Sequence, residues 1–209
     1  MKLQIEEYIR TKIRPVLKET IETIVFVIVM VIIIRFFVGE IRWIPSGSMK
    51  PTLIEGDRIF VERVSRFFTT PKHGDIMVFY PPSEPLAKTP IAVFERLTGF
   101  FCKDIAYIKR VIGLPGDKIV IKSDADGKYA VYRNGQRLNE KYILDDYDYI
   151  PCNENMYCGP FTVPKDNYFM LGDNRGNSQD SRFWGFLPRE RFVGHAVFLF
   201  WPFTRMHKL

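Results

Sequence analysis

The stretch from Ile21 to Val38 limits this chain more than any other. It reads IETIVFVIVMVIIIRFFV, and its centre, Ile24 to Ile34, contains no polar residue. Such a run is too long for an ordinary strand and approaches the length that crosses a bilayer as a helix. Glu22 and Arg35 lie near its ends, where long side chains can reach the interface. Phe36, Phe37 and Trp43 suit the headgroup level. A cleavable leader is the rival reading, but the charged segment ahead of the run is long and no A-x-A site follows it. Lys2, Arg10, Lys12, Arg14 and Lys18 precede the span and few basic residues follow it closely. That asymmetry predicts a cytoplasmic N-terminus and an exported remainder. Residues 1–19 are then a cytoplasmic segment, with Ile5, Ile9 and Ile13 spaced for a short amphipathic helix before Pro15. Residues 20–38 form the transmembrane helix, and 39–209 an extracytoplasmic, β-rich domain.

Past the span the pattern changes to short alternating runs. EGDRIFVERV alternates, with Ile59, Val61 and Val64 on apolar faces. HGDIMVFYPP begins at a Gly-Asp turn and closes on two prolines. AYIKRVIGLPGDKIVI holds two strands about an LPGD turn, with Tyr107, Lys109 and Val111 on one face of the first. KYAVYRNGQRL predicts a hairpin with Asn134-Gly135 in a type I′ turn. YFMLGDNRGNSQDSR runs from a strand into a polar loop, and VGHAVFLFWPF supplies a last strand. Residues 83–104 stand apart as an insertion. IAVFERLTGFF has helical spacing and could cap the core or lie on a bilayer; its shortness and weak basic charge favour the core.

The formal net charge is +6, but the basic residues are dispersed, and no zinc-finger spacing or helix-turn-helix pattern is present. Nucleic acid is therefore not an expected partner. Cys152 and Cys158 enclose the short loop CNENMYC, which suits a local disulfide in an oxidising compartment. No histidine or further cysteine lies beside them, so a metal site is not expected. Cys102 is left free and is expected to be buried.

The decade Ile44–Leu53, IPSGSMKPTL, starts soon after the span. Pro45 and Pro51 restrict its backbone, and Gly47 permits a sharp turn beside Ser48. A serine held so can present its hydroxyl while nearby N–H groups remain free for an oxyanion. Taken alone, the stretch reads more readily as an ordinary Ser/Gly/Pro loop, and Lys109-Arg110 as a solvated strand edge. His73, His195 and His207 are the only bases for a histidine triad, and none sits in a distinctive motif.

Together, PSGSMKPT, YIKRVIGLPGD and GDNRGNSQDSR, with HGDIMVF between, resemble the boxes of the type I signal peptidases. These are membrane-bound Ser/Lys proteases of bacteria, with a serine-peptidase fold shared with self-cleaving repressors. The resemblance covers most of residues 40–200, and the preceding anchor fits it. It implies a mostly β fold: an N-terminal transmembrane helix, then an antiparallel β catalytic domain of signal-peptidase type. It implies Ser48 as nucleophile and Lys109 as general base, with Ser46 joining the Ser48 N–H as oxyanion donor and Ser178 orienting the Lys109 amine. Asp180 and Arg182 become a structural ion pair near the site, while Asp173 and Arg175 read as surface or loop-fixing residues. Ile44, Met49, Leu53, Val78, Tyr107 and Ile108 become walls of shallow pockets for small side chains, though each reads equally as plain core. The substrates implied are the signal peptides of exported preproteins, cut beside the bilayer on the outer side of a bacterial plasma membrane, without cofactor. One departure is visible, Gly176 where the family usually has Asp, which bears on loop rigidity. The rivals are a processing peptidase specialised for a few exported substrates, a tethered β binding module with relic residues, and a self-cleaving repressor. The repressor would need a DNA-binding helix pair where the apolar span stands.

Overall fold

A computed structural model of the chain describes residues 7–98, 104–124, 127–143 and 149–209. The apolar run forms helix α1, Arg14–Phe37, continuous with a π-helical turn at Ile9–Ile13. The expected break before Pro15 does not occur. Pro15 follows directly on the π-helical turn, where the regular i→i−4 ladder is already interrupted, so the helix passes it without a break. Ile5 lies outside the described residues. No residue of α1 is buried, and the helix is long and apolar enough to cross a membrane.

The remaining elements follow in order: β1 Gly39–Trp43, β2 Arg58–Glu62, α2 Ser65–Phe68, β3 Ile76–Phe79, α3 Pro90–Thr98, β4 Tyr107–Gly113 and β5 Lys118–Ser123. Then come β6 Tyr129–Arg133, β7 Gln136–Arg137, β8 Phe161–Thr162, β9 Asn167–Leu171, α4 Ser181–Trp184, β10 Leu187–Pro188, β11 Phe192–Trp201 and β12 His207–Lys208. One sheet has the order β1-β2-β11-β3-β4-β9-β10, with β12 on β11; a second has the order β7-β6-β5-β8. Every strand pair described is antiparallel. The fold is thus mostly β behind an N-terminal apolar helix, as the alternating runs predict. Asn134 (φ 53°) and Gly135 (φ 83°) take the left-handed pair of conformations that a type I′ turn demands.

The core lies in three clusters. Ile44, Met49 and Leu53 pack with Ile59, Val61, Val78 and Ile108. Ile112, Ile119, Val131 and Phe169 join the two sheets. Met77, Phe79, Val111, Tyr168 and Met170 fill the space behind β4. Each such side chain contributes about 1.5–3 kcal/mol by leaving water, so the strands that carry the site are firmly held.

Two expectations fail here. Val64 is exposed rather than on the apolar face of β2, because the strand stops at Glu62 and the chain turns into α2. The 83–104 insertion does form a helix, α3, and Leu86 ahead of it packs on the core, but among the described residues of the helix Ile91 and Phe94 are exposed. Cys102 lies outside the described residues. The junction between helix and sheets is bound by charge. Glu40 is buried and pairs with Arg42 at 2.6 Å and Arg35 at 3.4 Å. Buried Arg63 donates to the carbonyls of Arg35 (3.4 Å) and Arg96 (3.0 Å), joining the ends of α1 and α3.

Candidate active site

Ser48 sits in a single 3-10 turn, Gly47–Met49. Met49 and Leu53, both fully buried, fasten that turn into the core. Gly47 keeps a negative φ, and the atoms nearest to a Cβ there are the mobile ends of Glu55 and Lys50, so neither the backbone nor close approach demands glycine at this position. The turn is held from its other side by the loop after β9. Asn174 N donates to the Ser48 carbonyl and Asn174 Nδ2 to the Gly47 carbonyl, each at 3.1 Å. Gly47 and Ser48 open the turn, so their N–H groups have no acceptor within it.

Lys109 lies in β4 opposite Met77. Its Nζ is 2.7 Å from Ser48 Oγ and donates to the Ile108 carbonyl at 3.0 Å. The residue is 4 % exposed. Burial drives the amine down from its ordinary value to about 8; the Asp180 and Asp173 carboxylates oppose this, and Arg182 adds to it. At neutral pH about one such amine in ten is uncharged, against about one in 2,500 for a free lysine.

Ser46 Oγ lies 3.4 Å from Ser48 Oγ, on the extended residue that precedes the turn. Ser178 is buried, but its hydroxyl has no hydrogen-bond partner. The bond to Lys109 expected of it is therefore not made. It packs against Gly172 instead, where an added Cβ would collide with Ser178 Oγ and the Ser48 carbonyl, and the Ile108 carbonyl takes the amine's second contact. Asp180 and Arg182 form a buried two-pronged pair, both contacts at 2.9 Å. Asp180 also accepts from Gly172 N at 3.1 Å, which ties the pair to the loop beside Ser48.

Asp173 and Arg175 are not at the surface; both are fully buried. Each has a counter-charge that makes burial tolerable. Arg110 clasps Asp173 at 2.6 and 2.8 Å, and Thr52 Oγ1 donates to the same carboxylate. Arg175 bonds Glu140, the Tyr149 hydroxyl and the Gly172 carbonyl. Gly176 is exposed, and the loop is fastened on both sides of it, so the missing Asp leaves the fastening intact.

A cleft of about 330 Å³ opens over Ser48, lined by Ser46, Ile105, Ala106, Tyr107, Ile108 and Lys109 among others. Of the six wall residues expected, Tyr107 and Ile108 line it. Ile44, Met49, Leu53 and Val78 lie in the cluster beneath, as core rather than open wall. Strand β9 joins β4 only from Arg110 onward, so the segment before it faces the cleft. None of the histidines lines the cleft: His73 Nε2 meets Asp117 at 2.6 Å, His195 lies 3.8 Å from Asp75, and His207 meets the Arg205 carbonyl. Cys152 and Cys158 are joined as a disulfide. Among the described residues, no group of histidine, cysteine or acidic side chains could hold a metal ion.

Asn174, Gly172 and Arg110 escape a reading by residue type. The signal for Asn174 is present in GDN, a side chain able to donate and accept just past a buried strand.

This fold and this cleft belong to a class of peptidases. The model of the family described as Signal peptidase, peptidase S26 matches residues 17–201, and the chain belongs to that family. It is an enzyme of the signal peptidase I type, a protease, by likeness over nearly its whole length. Signal peptidase I of Leptolyngbya laminosa is 43% identical over 193 residues, covering 92% of this chain and 84% of that one. Probable signal peptidase I-1 of Synechocystis sp. is 41% identical over 194 residues, covering 92% and 87%. Thylakoidal processing peptidase 1 of Arabidopsis thaliana is 38% identical over 171 residues, 82% of this chain but 44% of its own length.

Proposed function

We propose that this signal peptidase is anchored by α1 with its N-terminus in the cytoplasm, and that residues 39–209 cut preproteins on the outer face of a bacterial plasma membrane through Ser48 and Lys109. The observation that carries the chemistry is the 2.7 Å contact between a serine hydroxyl and a buried amine. A hydroxyl is a weak nucleophile until a base takes its proton. With Lys109 neutral, the Ser48 O–H donates to Nζ, and Oγ attacks the scissile carbonyl as the proton transfers. The negative oxygen that forms is met by the Ser48 N–H and the Ser46 hydroxyl. Lys109, now an ammonium, returns its proton to the departing amine and leaves an ester on Ser48. A water then gives its proton to Lys109 and attacks the ester; as the C–O bond to Ser48 breaks, Lys109 passes that proton to Ser48 Oγ, which frees the acid and restores the hydroxyl and the neutral amine.

The substrate enters extended. Residues 105–108 offer it a strand edge, so main-chain pairing supplies binding and the cleft beside Tyr107 and Ile108 selects for small side chains. Signal peptides carry such residues before their cut site. The test is cleavage of a preprotein by the full chain in proteoliposomes. Ser48→Ala and Lys109→Met each abolish product while the disulfide and fold persist. Normal turnover by a folded Lys109→Met protein rejects the pair; loss of activity in His73→Ala and His195→Ala, with Lys109 dispensable, transfers the chemistry to histidine.

A further inference from the structure

The strands of the second sheet hold no residue of the four motif stretches, yet one of its connections reaches the site. The chain that leaves β7 brings Glu140 and Tyr142 against the loop after β9. Arg175 of that loop is fully buried, and the Glu140 side chain is only 5 % exposed. Arg175 donates from Nη2 to Glu140 Oε1 at 2.5 Å and from Nη1 to Oε2 at 3.0 Å. Tyr142 donates to the same carboxylate at 2.8 Å, and the Tyr149 hydroxyl meets Arg175 Nη1. Among the described residues, Glu140 is the one counter-charge bonded to Arg175. A fork of this kind fixes both the place and the plane of a guanidinium.

The remaining edge of that guanidinium is turned toward Ser48. Arg175 Nε donates to the Gly172 carbonyl at 2.9 Å, and Gly172 N donates to Asp180 Oδ2 at 3.1 Å. Gly172 is thus held from both sides at the point where it meets Ser178 Oγ and the Ser48 carbonyl too closely to admit a methyl. The next residue, Asp173, is clasped by Arg110, whose guanidinium lies 4.0 Å over the Tyr142 ring. One connection therefore backs both arginines that fasten the loop. Asn174, from the same loop, holds the turn that carries Ser48. The 2.7 Å contact between Lys109 Nζ and Ser48 Oγ is the kind of geometry in which a shift of about 1 Å costs about a hundredfold in rate.

We propose that Glu140 is a positioning residue for the cleavage reaction. It fixes Arg175, and through the Gly172 carbonyl it fixes the loop on which Ser48 is seated. This rests on the reading of Ser48 and Lys109 as the reacting pair. Glu140 touches neither substrate nor the reacting atoms and acts through Arg175 and Gly172. The second sheet is thereby part of the catalytic unit, although its own strands hold no reacting group.

The test is steady-state cleavage of a preprotein-derived peptide by the full chain in micelles, with kcat and KM separated and guanidinium denaturation run alongside. Glu140→Leu should lower kcat by about tenfold to about a hundredfold, leave KM within about twofold, and destabilise the fold by orphaning the Arg175 charge. Val131→Ala, in the core of the second sheet, also loses stability but leaves the loop alone, so its kcat should match wild type. Glu140→Gln keeps an acceptor for Arg175 and should restore most of the kcat lost in Glu140→Leu. The double variant Glu140→Leu/Arg175→Met separates positioning from charge balance. With no orphaned charge its stability returns toward wild type, but the Gly172 carbonyl still lacks its donor, so kcat stays low. Recovery of kcat together with stability in the double variant overturns the proposal, because the carboxylate then matters only as a counter-charge. A kcat for Glu140→Leu equal to that of Val131→Ala overturns it too. If Glu140→Leu does not fold, the other two variants decide: low kcat in the double variant with kcat retained in Glu140→Gln supports positioning, and wild-type kcat in the double variant refutes it. Product formed by Ser48→Ala would overturn the reacting pair itself; with Ser48→Ala inactive, the outcomes above bear on Glu140 alone.

Discussion

Replacing Lys109 by methionine should abolish cleavage and also change how stability depends on pH. In the folded chain the amine loses its proton near pH 8, against an ordinary value of 10.5. Keeping the ammonium in that dry position costs about 3 kcal/mol, at about 1.4 kcal/mol for each tenfold change in proton affinity. Between the two values the unfolded chain binds more protons than the folded one, so stability rises with pH. The contribution is complete above 10.5 and is lost as pH falls through 8. A thioether in the same place has no proton to gain, and the curve of the Lys109→Met protein lacks this rise. The variant also loses the contacts to Ser48 Oγ and the Ile108 carbonyl, a cost that hardly varies with pH. The diagnostic is therefore the difference between the two proteins across the range. Guanidinium denaturation of the full chain in micelles, followed by tryptophan fluorescence, should show wild type gaining about 3 kcal/mol on Lys109→Met from about pH 7 to about pH 10.5. Parallel curves, whose separation changes by less than about 1 kcal/mol over that interval, would refute the claim that burial depresses this amine.

Four further outcomes follow from the same geometry. Under the proposed mechanism, in which only the uncharged Lys109 takes the Ser48 proton, the kcat/KM of wild type should rise with pH along a limb centred near 8; a profile flat from neutral to alkaline pH contradicts this. Asn174→Ala removes the bond to the Gly47 carbonyl, so stability should fall by about 1 kcal/mol and kcat by about tenfold with KM little changed, read from steady-state peptide hydrolysis. Gly172→Ala forces a methyl into the space of Ser178 Oγ and the Ser48 carbonyl; a loss of about 1–3 kcal/mol in the same denaturation assay, with a fall in kcat, is expected. Cys152 and Cys158 should resist alkylation until reduced, and ready labelling of the native protein would deny the pairing.

Strands β2 and β5 were legible because their faces alternate; β3, β4 and β9, buried on both faces for most of their length, were marked instead by the Gly-Asp, Pro-Gly and Gly-Asp turns that bound them. That Ser48 and Lys109 lie side by side was legible only through the company of the other boxes. By itself Lys109 is one basic residue in a strand, and its contact with Ser48 joins positions 61 apart along the chain. Burial of Asp173 and Arg175 was hidden for a related reason. A charged residue reads as solvated unless its partner is known, and Arg110 and Glu140 come from separate segments. Ser178 shows the reverse limit: the motif gives the residue, but the direction of its hydroxyl is settled by packing on Gly172. For α3, helical spacing was plain, but nothing in nine residues tells a core-facing from an outward apolar face.

Strand β1 starts at Gly39, two residues past the end of α1, and Glu40 immediately grips Arg35 and Arg42. Under the proposed anchor there is no tether to absorb a change of angle. The blade stands at a set height, like a tool bolted to its post, and leaning the post in a thicker or thinner bilayer moves the cutting edge. Bilayer thickness then becomes a variable in where a bound polypeptide is severed.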